Sequence, residues 1–106
     1  MKKDIKSYND KHQQHGYWEF YYSNGQLGNK GNYINGVRDG YWEIYSITGE
    51  SAFKGNFING EPNGLWQEYW SSGKLMYRGN YKNSKREGYR DEYSIDGKLD
   101  NKSYNI

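Results

Sequence analysis

Few residues in this chain could do chemistry. His12 and His15 form a His-x-x-His pair in a polar N-terminal stretch. Two ligands, with no carboxylate or thiol completing the set, do not make a zinc site. There is no cysteine, so disulfides, thiolate metal sites and Cys-His catalysis are excluded. No Ser-His-Asp set can be assembled. Glu19 and Glu43 invite a paired-carboxylate reading, but they stand 24 residues apart in equivalent places of a repeat, with Gln67 at the third place. The period therefore explains them without catalysis. A non-enzyme with no cofactor and no metal is the expectation.

That period organises everything else. Gly16–Asp39, Gly40–Asn63 and Gly64–Glu87 are successive copies of one 24-residue pattern, and Gly88–Ile106 is a shorter fourth. A fixed period of this length marks a repeat architecture, in which stability comes from each unit stacking on the next. At 106 residues there is room for one domain, with residues 1–15 as a polar tail or an added edge strand. Ile5-Lys6-Ser7-Tyr8 loosely echoes Lys30-Gly31-Asn32-Tyr33. Only 33% of residues are hydrophobic but 19% are aromatic, so the core should be thin and aromatic. The net charge of +2 is too small to argue for nucleic acid. The N-terminal residues carry no apolar run, which makes a cytoplasmic protein the expectation.

Each copy accommodates two strands. The first are 17–22, 41–46, 65–70 and 89–94; the second are 26–34, 50–58, 74–82 and 98–105. Aromatic and β-branched residues suit a pleated surface. Asn24-Gly25 and its counterparts provide the hairpin turn, and Asn35-Gly36, Asn59-Gly60 and Asn83-Ser84 open a polar loop to the next copy. Pro62 falls in that loop. The expected fold is all-β: a curved, elongated, single-layer antiparallel sheet of repeated hairpins.

Register has two readings. A two-residue turn sets Glu19 opposite Lys30 and Trp18 opposite Gly31, and the same in each copy. It also demands positive φ of Thr48, which a β-branched residue resists. A three-residue loop with Gly in the left-handed conformation removes that objection and shifts every pair by one; it is the reading preferred here.

The pattern G-x-W-x-x-Y-x-x-x-G-x-L-x-x-x-G-x-Y-x-N-G is carried by Gly16, Trp18, Tyr21, Gly25, Leu27, Gly31, Tyr33, Asn35 and Gly36 and by their counterparts 24 and 48 positions on. It resembles the MORN-repeat variant of bacterial YwqK-like proteins across residues 16–106. Ser51 and Ser84 depart from it, and the fourth copy decays: Arg90, Ser103 and Asn105 replace Trp, Gly and an aromatic, which reads as a cap. The resemblance implies a hairpin-repeat fold and a role as an antitoxin or immunity protein of a toxin system, or as a membrane-linked or scaffolding repeat. It brings no catalytic motif.

Three surfaces are candidates for binding. Trp18, Trp42 and Trp66 form one line, expected to pack over the glycines of the next strand. Tyr21, Tyr45, Tyr69 and Tyr93, with Trp70, form another that suits a protein interface. The ladder Lys30, Lys54, Arg78 and Lys102, its steps roughly 10 Å apart, lies beside acidic residues and reads as self-paired. Lys82, Lys85, Arg86 and Arg90 form a less balanced cluster that suits an anionic surface. The first expectation is a partner protein, such as a toxin or other effector, held by the aromatic face and by loops 35–39, 59–63 and 83–87. The alternative is an anionic membrane surface, and self-association is compatible with either.

Overall fold

The computed structural model describes residues 3–105, and the side chains of residues 3–99. Eight strands follow one another as a meander: β1 (Gly16–Tyr21), β2 (Leu27–Ile34), β3 (Val37–Tyr45), β4 (Ser51–Ile58), β5 (Glu61–Tyr69), β6 (Leu75–Lys82), β7 (Lys85–Tyr93) and β8 (Leu99–Asn105). They lie in sequence order in one antiparallel sheet. The molecule measures 46 × 33 × 11 Å, so no second layer covers either face.

Two turn types alternate. Within each copy the loop has three residues: the Gly25 N–H donates to the Tyr22 carbonyl at 2.9 Å, and the Tyr22 N–H to the Gln26 carbonyl at 2.8 Å. Gly25 takes the left-handed conformation (φ 87°), as the preferred reading required. The pairs are nevertheless not shifted. Glu19 faces Lys30 and Trp18 faces Gly31, because the register slips by one residue between Phe20 and Tyr21. The extra residue is Gly28, and Ala52, Met76 and Asp100 take its place in the later copies. A bulge thus cancels the odd loop, and both sequence signals hold at once.

Between copies the turn is shorter than expected. Asn35 (φ 48°) and Gly36 (φ 87°) form a two-residue turn with both φ positive, the geometry that follows the natural strand twist. Residues 37–39, 61–63 and 85–87, expected in loops, are therefore the first residues of β3, β5 and β7. Pro62 is also in a strand, facing Phe57 as the second pair from the turn, where that pair asks no N–H of it. Residues ahead of β1 extend the sheet by two isolated bridges, Ile5 with Glu19 and Tyr8 with Gln14.

The core lies on one face. Trp42 (1% exposed), Trp66, Phe57 and Tyr77 are buried, with Trp18, Tyr33, Met76 and Tyr81 against them. Edge-to-face contacts join Tyr8, Trp18, Tyr33 and Trp42 at centroid spacings of 5.3, 5.7 and 4.9 Å. Such contacts add about 0.5–1.5 kcal/mol each beyond area burial. The rings do cover glycines, but those of the preceding strand rather than the next. Trp42 lies on Gly31 and Trp66 on Gly55, and a Cβ at either glycine would collide with the indole. The Trp42 indole N–H donates to the Asn32 carbonyl at 3.0 Å, and that of Trp18 to the Ser7 carbonyl at 2.8 Å. Where Arg90 replaces the fourth Trp, Tyr77 covers Gly79 instead, under the Arg86 guanidinium at 4.5 Å.

Gly31→Ala and Gly55→Ala should each destabilise the fold by about 2 kcal/mol or more, since overpacking costs 1–3 kcal/mol and the obstacle is a buried ring. Gly79→Ala should cost less, because the nearest atom there is the Tyr77 hydroxyl at the tip of a side chain. Urea unfolding of the three variants tests this ranking. Ser84 occupies the second place of its turn with φ 64°, where the other two copies have Gly. Ser84→Gly should therefore stabilise by about 1 kcal/mol, read as a higher urea midpoint.

Candidate functional site

Alternation along β1, β3, β5 and β7 sends the neighbours of the Trp residues to the opposite, open face. Across its middle runs one row of facing residues, one per strand: Glu19, Lys30, Glu43, Lys54, Gln67, Arg78, Asp91 and Lys102. The acidic and basic ladders are thus a single alternating line, interrupted only at Gln67. The Lys102 side chain lies outside those described. Lys30 pairs with Glu43 at 3.4 Å and Arg78 with Asp91 at 3.2 Å. Exposed pairs of this kind contribute little stability, but the row leaves the middle of the face close to neutral.

Tyrosines flank the row and donate into it. Tyr17 and Tyr21 both donate to the Glu19 carboxylate at 2.6 Å. Tyr45 donates to Glu43 at 2.6 Å, and Tyr69 to the Gln67 side-chain carbonyl at 3.3 Å. Desolvation, with the hydrogen bond to Glu43 second, pushes the Tyr45 hydroxyl up to about 12. Desolvation and then Glu19 do the same for Tyr17, also to about 12. At Tyr21 the hydrogen bond to Glu19 is the larger cause of a rise. For Glu43, desolvation pushes upward, but the Tyr45 hydroxyl and Lys30 outweigh it and hold the carboxyl below its ordinary value. These phenols are proton donors fixed in the neutral form, and the Glu43 carboxylate is held charged. Neither is poised to exchange a proton near neutral pH.

The tyrosine line of the sequence analysis, Tyr21, Tyr45, Tyr69 and Tyr93, does lie on this face, but half-buried near the hairpin turns. Trp70 is occupied structurally: its indole N–H donates to the Tyr93 carbonyl at 3.1 Å, as the Tyr22 hydroxyl does to the Tyr45 carbonyl at 2.8 Å. The more exposed ridge was missed. It consists of Tyr17, Tyr41 (51% exposed), Leu65 and Tyr89 (66%), on the other side of the charged row. The signal was available, because each of these residues immediately precedes Trp18, Trp42, Trp66 or Arg90 and so must face the opposite way. Depressions separate the ridge residues. One of about 260 Å³ lies between Tyr17 and Tyr41 over Gly31 and Asn32, bounded by Lys30 and Glu43. Another of about 450 Å³ lies between Leu65 and Tyr89 over Gly79 and Asn80, bounded by Arg78 and Asp91. Each lining residue of the second stands 48 positions after one of the first.

The basic cluster is divided by the same alternation. Lys82 and Lys85 face each other across the last two-residue turn. Arg86 and Arg90 belong to the core face, where Arg86 lies over Tyr77 and Arg90 pairs with Glu92 at 3.1 Å. Of the two histidines, His15 accepts the Asn35 N–H on Nδ1 at 3.1 Å, and His12 sits in a turn with φ 60°. Among the described residues no group of three or more His, Cys, Asp or Glu is placed to hold a metal ion.

Two stretches of the chain, residues 14–35 and 62–83, match the family model of the MORN repeat variant. Each spans one hairpin, β1–β2 and β5–β6. The intervening β3–β4 hairpin has the same register, so the repeat continues where the match does not. Repeats of this kind generally bind proteins or membranes. No curated protein matches the chain.

The shifted groups set the pH limits of stability. Glu43 is lowered in the folded state, so its contribution is full above the ordinary carboxyl range and fades as pH falls through the folded value. Tyr45 is raised, so its contribution is full below about 10 and is lost as pH rises through about 12. Stability should therefore be flat through neutrality and decline at both ends. In tyrosinate absorbance titrations, the difference between the wild type and Tyr45→Phe should show a step near 12. Glu43→Gln should move that step downward only partway, since burial is the larger cause.

Proposed function

We propose that the chain is a non-enzymatic, cytoplasmic binding module that occupies a partner protein with its open tyrosine face, in the manner of an antitoxin or immunity protein. The observation behind this reading is the combination of an exposed ridge, Tyr17, Tyr41, Leu65 and Tyr89, with a second tyrosine line whose hydroxyls are held in place by carboxylates. Tyrosines fixed in this way lose little entropy on docking and bring large amphipathic area. The neutralised row between them removes the like-charge repulsion that would oppose a charged partner. Nothing in the arrangement calls for turnover.

The alternative, an anionic lipid surface, draws support from Lys82 and Lys85, which replace the exposed Ile34 and Val37 of the first turn. It has two lysines at its disposal rather than four cations, because Arg86 and Arg90 are engaged on the other face.

The immobilised chain should retain one stoichiometric protein from its native lysate, and at 1 M salt, where the screening length is about 3 Å, retention should persist. Tyr41→Ala or Tyr45→Ala should weaken it at least tenfold. A chain that retains no protein, yet binds anionic vesicles in a manner lost at high salt and in Lys82→Ala, would turn the reading to membranes.

A further inference from the structure

The open face is complementary to itself. A two-fold axis parallel to the strands, passing midway between β4 and β5, exchanges β1 with β8, β2 with β7, β3 with β6 and β4 with β5. Every odd strand then lies over an even one. The ridge residues are on odd strands and the floors of the depressions on even strands, so the rotation lays ridges over depressions. Tyr41 of one copy falls over Asn80 of the other, in the depression between Leu65 and Tyr89. Tyr89 falls over Asn32, between Tyr17 and Tyr41. The second line behaves alike: Tyr45 meets Leu75, and Tyr93 meets Leu27.

The charged row obeys the same parity. Alternating signs along an even number of strands reverse on rotation, so Lys30 falls over Asp91, Glu43 over Arg78 and Lys54 over Gln67. The outermost pair falls on Lys102, outside the described side chains. We infer that this face pairs with the same face of a second copy of the chain, forming a two-layer sandwich with Tyr41 and Tyr89 seated in the opposing depressions.

Shape and sign agree under one operation, as an isologous interface demands. Each sheet would present a 46 × 33 Å face, ample for the roughly 800 Å² per partner of a standard interface. Stacked sheets keep their strands within about 30° of one another, which a two-fold along the strands permits. The tyrosine ridges supply most of the affinity. The charges, already paired within each sheet, fix the register and exclude a slip by one strand, which would set like over like. The dimer needs no target protein, but it uses the face assigned to one under the proposed function, so the two associations would compete.

Sedimentation equilibrium of the full chain tests it. A dimer is expected in the micromolar range, and Tyr41→Glu should weaken it at least tenfold while leaving the circular dichroism unchanged. The register is read by mixing Lys30→Glu with Asp91→Lys. Each variant alone sets like charges opposite each other at both symmetry-related contacts and should dimerise weakly. Their mixture converts one contact to an inverted pair and keeps the other native, so it should associate at least tenfold more tightly than either alone. A monomer up to millimolar concentration, a dimer indifferent to Tyr41→Glu, or a mixture no tighter than its components would each overturn the proposal.

Discussion

Everything in this sheet depends on an indole lying flat on a bare backbone. A single layer 11 Å thick has no second layer to bury its apolar side chains, so it must make a core from its own surface. Trp42 and Trp66 do so by folding back over Gly31 and Gly55 of the preceding strand, with Tyr33 and Phe57 standing edge-on and Tyr81 tilted against them. Only glycine leaves room for the ring, and only a large flat ring covers so much backbone. Each repeat is thereby stapled to the one before it. The stretch before β1 continues the arrangement: Tyr8 stands against Trp18 as Tyr33 stands against Trp42.

The staple works only if the register is identical in each repeat, and two irregularities secure that. The three-residue loop would displace the pairs by one residue, and the bulge at Gly28 and its counterparts restores them. On the far side, two additional residues in β3, β5 and β7, at Gly40-Tyr41 and its copies, return the chain to the same alignment after the two-residue turn. Because the alternation inside β1, β3, β5 and β7 survives, the Trp residues and the tyrosines of those strands remain on opposite faces.

This explains what the sequence makes legible and what it hides. The period, the hairpins and the all-β sheet follow directly from recurring Gly, Trp and Tyr. The resolution of the register did not, because the compensating bulge falls on Gly28, Ala52, Met76 and Asp100, which share no chemical character. Residues 37–39 read as loop because Arg38 and Asp39 are polar. Yet Arg38 lies over the Trp42 ring at 4.7 Å, so a polar side chain is part of the core face. The cluster from Lys82 to Arg90 is a patch in one dimension only; alternation separates its members. The exposed ridge at Tyr41 and Tyr89 follows from their places just before Trp42 and Arg90, whereas the depressions between ridge residues depend on how the strands pair.

Dividing core and open surface between two faces has a consequence for how such a chain can vary. The Trp and Gly of the staple are the same residues in the three full copies, whereas the ridge runs Tyr, Tyr, Leu, Tyr and the acidic place runs Glu, Glu, Gln, Asp. Changes on the open face leave the indoles undisturbed, because the intervening backbone is one strand thick and side chains of opposite faces do not meet. Recognition can then diverge without loss of fold. What the fold fixes on that face is spacing, since the same hairpin period that seats Trp42 on Gly31 also sets the spacing of every tyrosine behind it.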